Sequence, residues 1–364
     1  MKLHHEIYRI NCTHPFGISR SSHNYYDIVY VYLEHDGLIG RGEAAPSGRY
    51  NESTDKILSV LDQGISVPKN LDEPSVFLDQ ITSQCQGIKA LEVAFSMATM
   101  DLWCQFQNQP LFSYFNADPQ KTPLTSFTIS IGDMDLLPQK IEDANSYKIL
   151  KVKLGVSEQH DKSVITEIRK VTDKVIRVDA NEGWDLDTGI IMTRWLAEHN
   201  VEFVEQPFKS SDLASTASLR SQSPLPIIAD ENSLNSADIP EIEGVFDGIN
   251  IKLMKCGGLF EAVKMIEMAR ERNMKIMLGC MIESSVAISA AAHLSPLCDY
   301  ADLDGNLLID NDPYEGVTIK NLLQMSSGIA FNEDYADPNS DINKFGRATA
   351  KGMSFKEFAM SLKN

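Results

Sequence analysis

The feature that most constrains the fold of this chain is a series of short apolar runs, each ending in a charged or amide side chain. The residues at these ends are Lys151 and Lys153, Asp179 and Asn181, Glu205, Asp230 and Glu231, and Lys252. The acids Asp179, Glu205 and Asp230 are 26 and 25 residues apart, and the next lysine follows after 22 residues. One β-strand plus one α-helix has this length, so the pattern predicts repeated βα units. A parallel barrel would bring these side chains together at one mouth.

Strand-like and helix-like stretches alternate from Leu124 onward. Eight strands are predicted, at 125–131, 149–153, 175–180, 201–205, 226–230, 248–252, 275–279 and 299–303. Helices are predicted near 159–172, 187–199, 211–221, 235–243, 258–272 and 284–294. This alternation is typical of parallel strands with helices outside, and eight strands close a barrel.

The first 120 residues have a different pattern. The stretches "EIYRINC" and "DIVYVYLEHDGLIGRGEA" predict antiparallel strands with a turn at Asp36–Gly37, and a helix is predicted after the cap Ser53. We therefore predict an α+β domain over 1–120, a barrel over 121–320, and a segment over 321–364 that either packs on the first domain or stays loose. Binding residues are expected in the polar loops "GISRSSHNYYD" and "PSGRYNES".

Composition narrows the classes of function. A formal net charge of -18 argues against nucleic acid as a partner, because phosphate binding needs a basic surface. The chain has no apolar run of about 18 residues and no signal-peptide pattern, so no membrane span is expected. Six cysteines without a CxxC pair predict reduced, buried thiols. The charge fits a cytoplasmic enzyme acting on a small molecule, and it would fit many other proteins as well.

Three carboxylates at successive strand ends predict a metal site. Asp179, Glu205 and Asp230 each end an apolar strand, where an uncompensated carboxylate is costly to bury. Oxygen ligands without a neighbouring His or Cys suit a hard cation, so Mg2+ is the expected metal. The alternative is that each acid caps the following helix or pairs with a lysine, but three acids in successive units favour the metal.

The lysines at the predicted mouth point to proton transfer. Lys151 and Lys153 are two residues apart on a strand, so their side chains lie on one face. We expect each to lower the pKa of the other, with a divalent cation adding to this effect, so that a lysine can act as a general base. Lys252 is expected across the mouth, and Lys255 in an ion pair. Alternatively, Lys151 and Lys153 are surface charges.

A metal between opposed lysines defines a class of reaction. A metal bound to a substrate carboxylate stabilises the charge that forms when the α-proton leaves. If one lysine removes this proton and the other returns one to the opposite face, the result is racemisation or epimerisation. Elimination or cycloisomerisation, which need one base, stay open. A non-catalytic barrel that binds a peptide or metal is the alternative from another class, although binding alone does not need opposed bases.

A further pair of acids, Asp302 and Asp304, ends the last predicted strand in "YADLDGN". Their spacing places both carboxylates on one face, and no lysine or arginine is near them in the sequence. They are candidates for holding a cationic group of the substrate, such as an α-ammonium. The alternative is a turn at Asp304–Gly305 with Asp302 as a helix cap.

The motifs in this part of the chain resemble those of the enolase superfamily, in its muconate-lactonizing subgroup and most closely its dipeptide epimerases. The resemblance covers nearly the whole chain and is carried by "KVKLG", "DANEGW", "VEQP", "ADE", "INIKLMKCGG", "GCMIES" and "DLDG". It implies an enolase-like α/β fold, a (β/α)7β TIM-like barrel with an N-terminal α+β capping domain. It also implies Mg2+ as the cofactor, a small dipeptide as the ligand, and a homo-oligomer as one option for assembly.

The same resemblance implies roles for individual residues. Asp179, Glu205 and Asp230 would bind Mg2+; Lys153 and Lys252 would be the acid/base catalysts; Lys151 would hold the substrate carboxylate; Asp302 and Asp304 would hold the substrate ammonium; Thr128, Cys280, Met281 and Ile282 would line the substrate. Arg20, or alternatively Arg49, would pair with an acidic side chain on the second substrate residue.

The implied reaction is inversion of the C-terminal α-carbon of an Ala-Xaa dipeptide whose second residue is acidic or small and apolar. Alternatives on the same scaffold are o-succinylbenzoate synthase, N-succinylamino acid racemase and muconate cycloisomerase. Their substrates lack the free ammonium that Asp302 and Asp304 would hold.

Overall fold

The computed structural model describes residues 1–19 and 21–313. They form a three-stranded antiparallel sheet with helices, followed by an eight-stranded parallel barrel. The predicted fold, a barrel preceded by an α+β part, is therefore confirmed. The predictions made for Arg20 and for 321–364 lie outside the described residues.

The antiparallel sheet contains β1 (Lys2–Ile18), β2 (Ser21–His35) and β3 (Leu38–Ala44), in that order. Asp36 and Gly37 connect β2 to β3 with positive φ angles of 48° and 80°. A two-residue turn of this kind matches the twist of the paired strands, and an Asp-Gly pair adopts it readily. The predicted hairpin is confirmed.

Helices of this first part, which together with β1–β3 we call the cap, cover one face of the sheet. They are α1 (Thr54–Asp62), α2 (Pro74–Thr82), α3 (Lys89–Gln107) and α4 (Leu111–Tyr114). Ser53, which the sequence predicted at the N-terminus of α1, accepts a hydrogen bond from Lys56 N at 3.3 Å. A Cβ atom at Gly40 or Gly42 would overlap the backbone of α3 at Ala98 or Ala94. The two glycines therefore allow α3 to lie directly on β3.

The barrel strands follow one another in chain order, and each pairs in parallel with its neighbour. They are β4 (Phe127–Ile129), β5 (Ile149–Lys153), β6 (Val175–Asp179), β7 (Val201–Glu205), β8 (Ile227–Ala229), β9 (Gly248–Lys252), β10 (Lys275–Gly279) and β11 (Tyr300–Asp302). Ser126 N donates to Ala301 O at 3.2 Å, which joins the first strand to the last. β4 is shorter than predicted because Ile131 pairs with Gly17 of the cap instead.

The barrel helices are α5 (Leu137–Asp143), α6 (Glu158–Arg169), α7 (Leu186–Ala197), α8 (Leu213–Arg220), α9 (Ile239–Ile242), α10 (Leu253–Cys256), α11 (Leu259–Glu271) and α12 (Ser285–Ala292). The sequence did not predict α5 or α10. The helix predicted over 235–243 is instead a 3-10 turn, Ser236–Asp238, followed by the short α9. Within the described part of the chain, the search for a helix both long and apolar enough to cross a membrane found none.

The cap lies over the mouth of the barrel. Ser19 Oγ donates to Asn181 O at 2.7 Å, and the Phe16 ring centroid lies 5.7 Å from Lys153 Nζ. The buried Glu43 at the end of β3 accepts a hydrogen bond from Ser284 N at 2.9 Å, at the start of α12. One continuous apolar core includes residues of both parts. All six cysteines are free, as predicted, but only four are buried, because Cys12 and Cys280 are partly exposed.

Candidate active site

Three buried carboxylates lie together at the mouth of the barrel. Asp179 ends β6, Glu205 ends β7, and Asp230 directly follows β8. One oxygen of each lies within 4.8 Å of the others. Glu205 Oε2 is buried, and its neighbour is the ammonium group of Lys151 at 2.8 Å. Three buried carboxylates without a neighbouring His or Cys form an oxygen-only donor set, which fits a hard divalent cation such as Mg2+.

Lysines approach this acid triad from two sides. Lys153, at the end of β5, donates to Asp179 Oδ2 at 2.8 Å. Lys252, at the end of β9, donates to Asp230 Oδ2 at 2.9 Å. Because β5 and β9 flank the three strands that lead to the acids, the two ammonium groups are on opposite sides of the triad. The structure thus brings together the residues that the sequence predicted to converge.

Lys151 lies among the acids. Its Nζ is 2.7 Å from Asp302 Oδ2, 2.8 Å from Glu205 Oε2 and 3.4 Å from Asp179 Oδ2. Burial lowers the pKa of Lys151, but the carboxylates, Asp302 first, outweigh burial and hold that pKa well above its usual range. The pKa of Lys151 is therefore not lowered by Lys153 as predicted, because three carboxylate oxygens lie within 3.4 Å of its Nζ. The lowering predicted from a divalent cation stays a prediction.

Burial and the neighbouring acids also have opposite effects on the pKa of Lys252. Burial lowers its pKa, but the neighbouring acids, Asp230 first and then Glu205, together outweigh burial, so the pKa is raised. The pKa of Asp230 is held well below its usual range, because Lys252 and Lys255 together outweigh the effect of burial. The ion pair on this side of the triad thus keeps both partners charged.

Asp302 and Asp304 have different surroundings. Ser126 Oγ donates to Asp302 Oδ1 at 2.6 Å, and burial, which raises the pKa of Asp302, is outweighed by Lys151, so the pKa is lowered. Asp304 Oδ2 accepts from Thr128 N at 2.5 Å. Burial, followed by the charge of Asp302, raises the pKa of Asp304 to about 7. Asp304 precedes a 3-10 helix, Gly305–Leu307, but its side chain does not cap it.

Two of the predicted substrate-lining residues, Thr128 and Cys280, contact this acid pair. Thr128 on β4 is in register with Lys151 on β5. Cys280 Sγ is 3.2 Å from Asp302 O, and Met281 N donates to Glu283 Oε1 at 2.7 Å. The following residue, Ile282, is buried.

Arg49, the alternative partner for the substrate side chain, makes a contact between the cap and the barrel. Its Nη2 lies 2.9 Å from Glu182 Oε1, in the loop after β6. The same carboxylate oxygen accepts from Ser210 N at 2.8 Å. Arg49 therefore holds a cap loop next to the segment that carries Asp179.

One residue of the site, Asn250, was not predicted from the sequence, and Lys255 was predicted to form an ion pair without its partner being identified. Asn250 Nδ2 donates to Glu205 Oε1 at 2.6 Å. Its position two residues before Lys252 on β9 was a usable signal, since both face the barrel interior. The predicted ion pair of Lys255 is confirmed, and its partner is Asp230: Nζ is 2.6 Å from Oδ1, 2.7 Å from the backbone O of the same residue and 2.8 Å from Asn250 O.

Comparisons with known proteins agree with this geometry. The model of the family described as "Enolase C-terminal domain-like" matches residues 137–329. An L-Ala-D/L-Glu epimerase of Bacteroides thetaiotaomicron is 38% identical over 327 residues, 88% of this chain and 84% of the relative. An L-Ala-D/L-amino acid epimerase of Pedosphaera parvula is 35% identical over 328 residues, 87% of this chain and 94% of the relative.

Among solved structures, a dipeptide epimerase of Enterococcus faecalis, complexed with Mg and the dipeptide L-Leu-L-Tyr, superposes with a TM-score of 0.80. It is 28% identical, and the match covers 85% of this chain and 92% of that chain.

Proposed function

This chain is a member of the enolase C-terminal domain-like family and an isomerase, and we propose that it is a Mg2+-dependent dipeptide epimerase. The proposed reaction inverts the C-terminal α-carbon of an Ala-Xaa dipeptide by proton transfer between two bases. The observation that carries this proposal is the position of Lys153 and Lys252 on opposite sides of the acid triad. The names of the relatives, which are epimerases of L-Ala dipeptides, support the same class of substrate.

Asp179, Glu205 and Asp230 would hold the Mg2+ ion. Bound there, the ion would offset the acids beside the lysines and stabilise the negative charge of the substrate carboxylate when the α-proton leaves. Asn250 donates to Glu205 Oε1, and Oε2, which lies 2.8 Å from Lys151 Nζ, would be the ligand atom. Lys255 holds Asp230 through Oδ1 and so fixes the direction in which its other oxygen points.

Lys153 and Lys252 would move the proton. In each direction of the reaction, one lysine takes the α-proton as a neutral amine, and the other donates a proton to the opposite face as an ammonium. Inversion requires two groups on two faces, and the separate strands β5 and β9 provide them. Proton transfer by a positioned side chain contributes about 10²- to 10⁴-fold to a rate.

The remaining site residues would orient the dipeptide. Lys151 would contact its carboxylate, and Asp302 and Asp304 its ammonium. Asp302 already contacts Lys151 at 2.7 Å, whereas Asp304 has no ion pair with a lysine or arginine of the described residues. A buried carboxyl group with a pKa of about 7 and no cationic partner suits recognition of an ammonium.

The six free thiols are consistent with action in the cytoplasm, which we include in the proposal.

Deuterium exchange tests this function. The enzyme with Mg2+ is incubated in heavy water with L-Ala-L-Xaa dipeptides that differ in the second residue, and NMR follows the C-terminal α-position. We expect deuterium to enter that position in at least one dipeptide, and chelation of the metal to stop it. Lys148→Ala, which removes an exposed lysine just before β5, should exchange at the normal rate. Turnover of an N-succinyl amino acid without exchange in any dipeptide would refute the proposal.

A further inference from the structure

A cavity of about 300 Å3 lies beside the proposed site for the substrate ammonium. Its lining includes Phe127, Thr128, Tyr147 and Leu308, together with residues of the cap strand β1. The backbone N of Thr128 binds the Asp304 carboxylate at 2.5 Å, so the cavity begins where the amino end of the substrate would be.

One charged side chain in the lining, Lys140 of α5, is buried, with 5% of its surface exposed. Its Nζ donates to Ser130 O and Ser130 Oγ, both at 2.9 Å. An ammonium group has three N–H donors, so one remains for another acceptor. Burial lowers the pKa of Lys140, which reflects the cost of placing a cation there.

Lys140 differs from every other buried lysine that the structure describes. The other four, Lys151, Lys153, Lys252 and Lys255, each have a carboxylate oxygen within 2.9 Å. Lys140 forms no ion pair within residues 1–19 and 21–313, and burial alone shifts its pKa. A buried cation without an anion is costly, and a ligand carboxylate would offset that cost.

The acid in the same lining is already paired. Asp143 Oδ2 lies 2.8 Å from His14 Nε2, and Asp143 Oδ1 accepts from Gln139 Nε2 at 2.9 Å. Asp143 thus joins α5 to the cap and does not pair with Lys140. The cavity therefore combines apolar walls with a buried ammonium group that lacks an anionic partner.

We propose that this cavity receives the side chain of the first substrate residue, and that Lys140 binds a carboxylate on that side chain. The inference rests on the proposed function, because the dipeptide is positioned by its ammonium at Asp304. The first side chain then lies next to Thr128, where Phe127, Tyr147 and Leu308 contact its methylene groups. Dipeptides that begin with L-Glu are therefore substrates, and they are better than the neutral isosteres that begin with L-Gln.

The test compares three dipeptides, beginning with L-Glu, L-Gln and L-Ala, that share the second residue exchanged fastest in L-Ala dipeptides. We expect kcat/KM of the wild type to be about 10- to 100-fold higher for L-Glu than for L-Gln, since a bond to a charged partner is lost. Lys140→Met should remove this preference and change kcat/KM for the L-Ala dipeptide less than about 3-fold. Lys148→Met, at an exposed lysine, should keep the wild-type preference.

If the wild type has equal kcat/KM for the L-Glu and L-Gln dipeptides, the inference is overturned. It is also overturned if Lys140→Met lowers kcat/KM equally for all three dipeptides. If Lys140→Met does not fold in a thermal melt, the wild-type ratio decides, with Lys140→Arg expected to keep a preference for L-Glu. Exchange with L-Ala dipeptides but no preference for L-Glu refutes this inference alone. No exchange with any dipeptide refutes both proposals.

Discussion

Two groups of buried acids in this chain have opposite electrostatics. At the barrel mouth, Asp179, Asp230 and Asp302 each have a lysine Nζ at 2.9 Å or less. Burial raises their pKa values, but the lysines outweigh it, so all three are lowered. At the junction of cap and barrel, Glu43 and Glu283 are equally buried, and burial raises their pKa values to about 7 and about 8.

The difference shows that the partner, and not burial alone, decides the charge of an acid here. Lysines keep Asp179, Asp230 and Asp302 ionised, as proposed metal ligands such as Asp179 and Asp230 must be. Glu205 differs from them, because burial, followed by the charge of Asp179, outweighs the effect of Lys151 and raises its pKa. The acids of the junction have only hydrogen-bond donors, such as Ser284 N for Glu43 and Met281 N for Glu283. One group is suited to chemistry and the other to joining two parts of the fold.

Removing one of the two proposed catalytic lysines from the mouth should have the largest effect. Lys153→Ala and Lys252→Ala should each lower epimerisation by about 10²- to 10⁴-fold, because one of the two proton-transfer groups is lost. Calorimetry should still detect Mg2+ binding, since the three ligands remain. Each variant should exchange the α-proton of one enantiomer only, which NMR in heavy water measures. Near-normal turnover by both variants would contradict the two-base mechanism.

Removing Lys255 should weaken the metal site without removing a group that reacts. Lys255→Met removes the hydrogen bond to Asp230 Oδ1 and one donor from each of two backbone oxygens, Asp230 O and Asn250 O, which Ser233 continues to contact. We expect Mg2+ affinity to fall about 10- to 100-fold. The free energy of unfolding should fall by about 3–5 kcal/mol, as for other broken buried pairs.

Calorimetry and urea unfolding measure these two effects of Lys255→Met. Lys264→Met, at an exposed lysine of α11, is the matched control and should change neither quantity. Unchanged Mg2+ affinity in Lys255→Met would show that this lysine does not hold the ligand in place.

A substitution at the junction of cap and barrel should have the smallest effect, a change in how the free energy of unfolding depends on pH. The pKa of Glu43 is about 7 in the fold against an ordinary 4.5, so between these pH values the folded chain keeps a proton that the unfolded chain has lost. The contribution of Glu43 to stability is therefore full below pH 4.5 and is lost as the pH rises toward 7. The loss is at most about 1.4 kcal/mol per pH unit.

Glu43→Gln should make the free energy of unfolding less dependent on pH over this window, as urea unfolding at pH 5 and pH 7 would measure. Glu283, whose pKa is also raised, leaves part of the slope in place. Glu271→Gln, on the surface of α11, should keep the wild-type slope. The same slope in Glu43→Gln as in the wild type would show that Glu43 is ionised throughout.

The sequence predicted the mouth better than the junction, for a physical reason. Alternation along a strand places Lys151 and Lys153 on one face, and the repeat of one strand and one helix places Asp179, Glu205 and Asp230 at one end of the barrel. These regular patterns are visible in the chain itself. They were sufficient to predict the eight strands and the convergence of the charged residues.

Contacts between distant segments could not be predicted in this way. The pairs Lys151–Asp302 and Glu43–Ser284 join residues that no periodic pattern relates. The absence of a lysine near Asp302 in the sequence did not reveal that Lys151 reaches it across the closed barrel. The short α5 carries no strong pattern, so its buried Lys140 could not be distinguished from a surface lysine.

The bond that closes the barrel, from Ser126 N to Ala301 O, has a consequence for synthesis on the ribosome. Translation must reach Ala301 before β4 can acquire its second neighbouring strand, and Asp302 follows at once. An unfinished polypeptide therefore carries Lys151 and the triad long before Asp302 and Asp304 exist. A nascent chain lacks the groups proposed to recognise the amine, so activity on dipeptides should begin only when the last strand has been made.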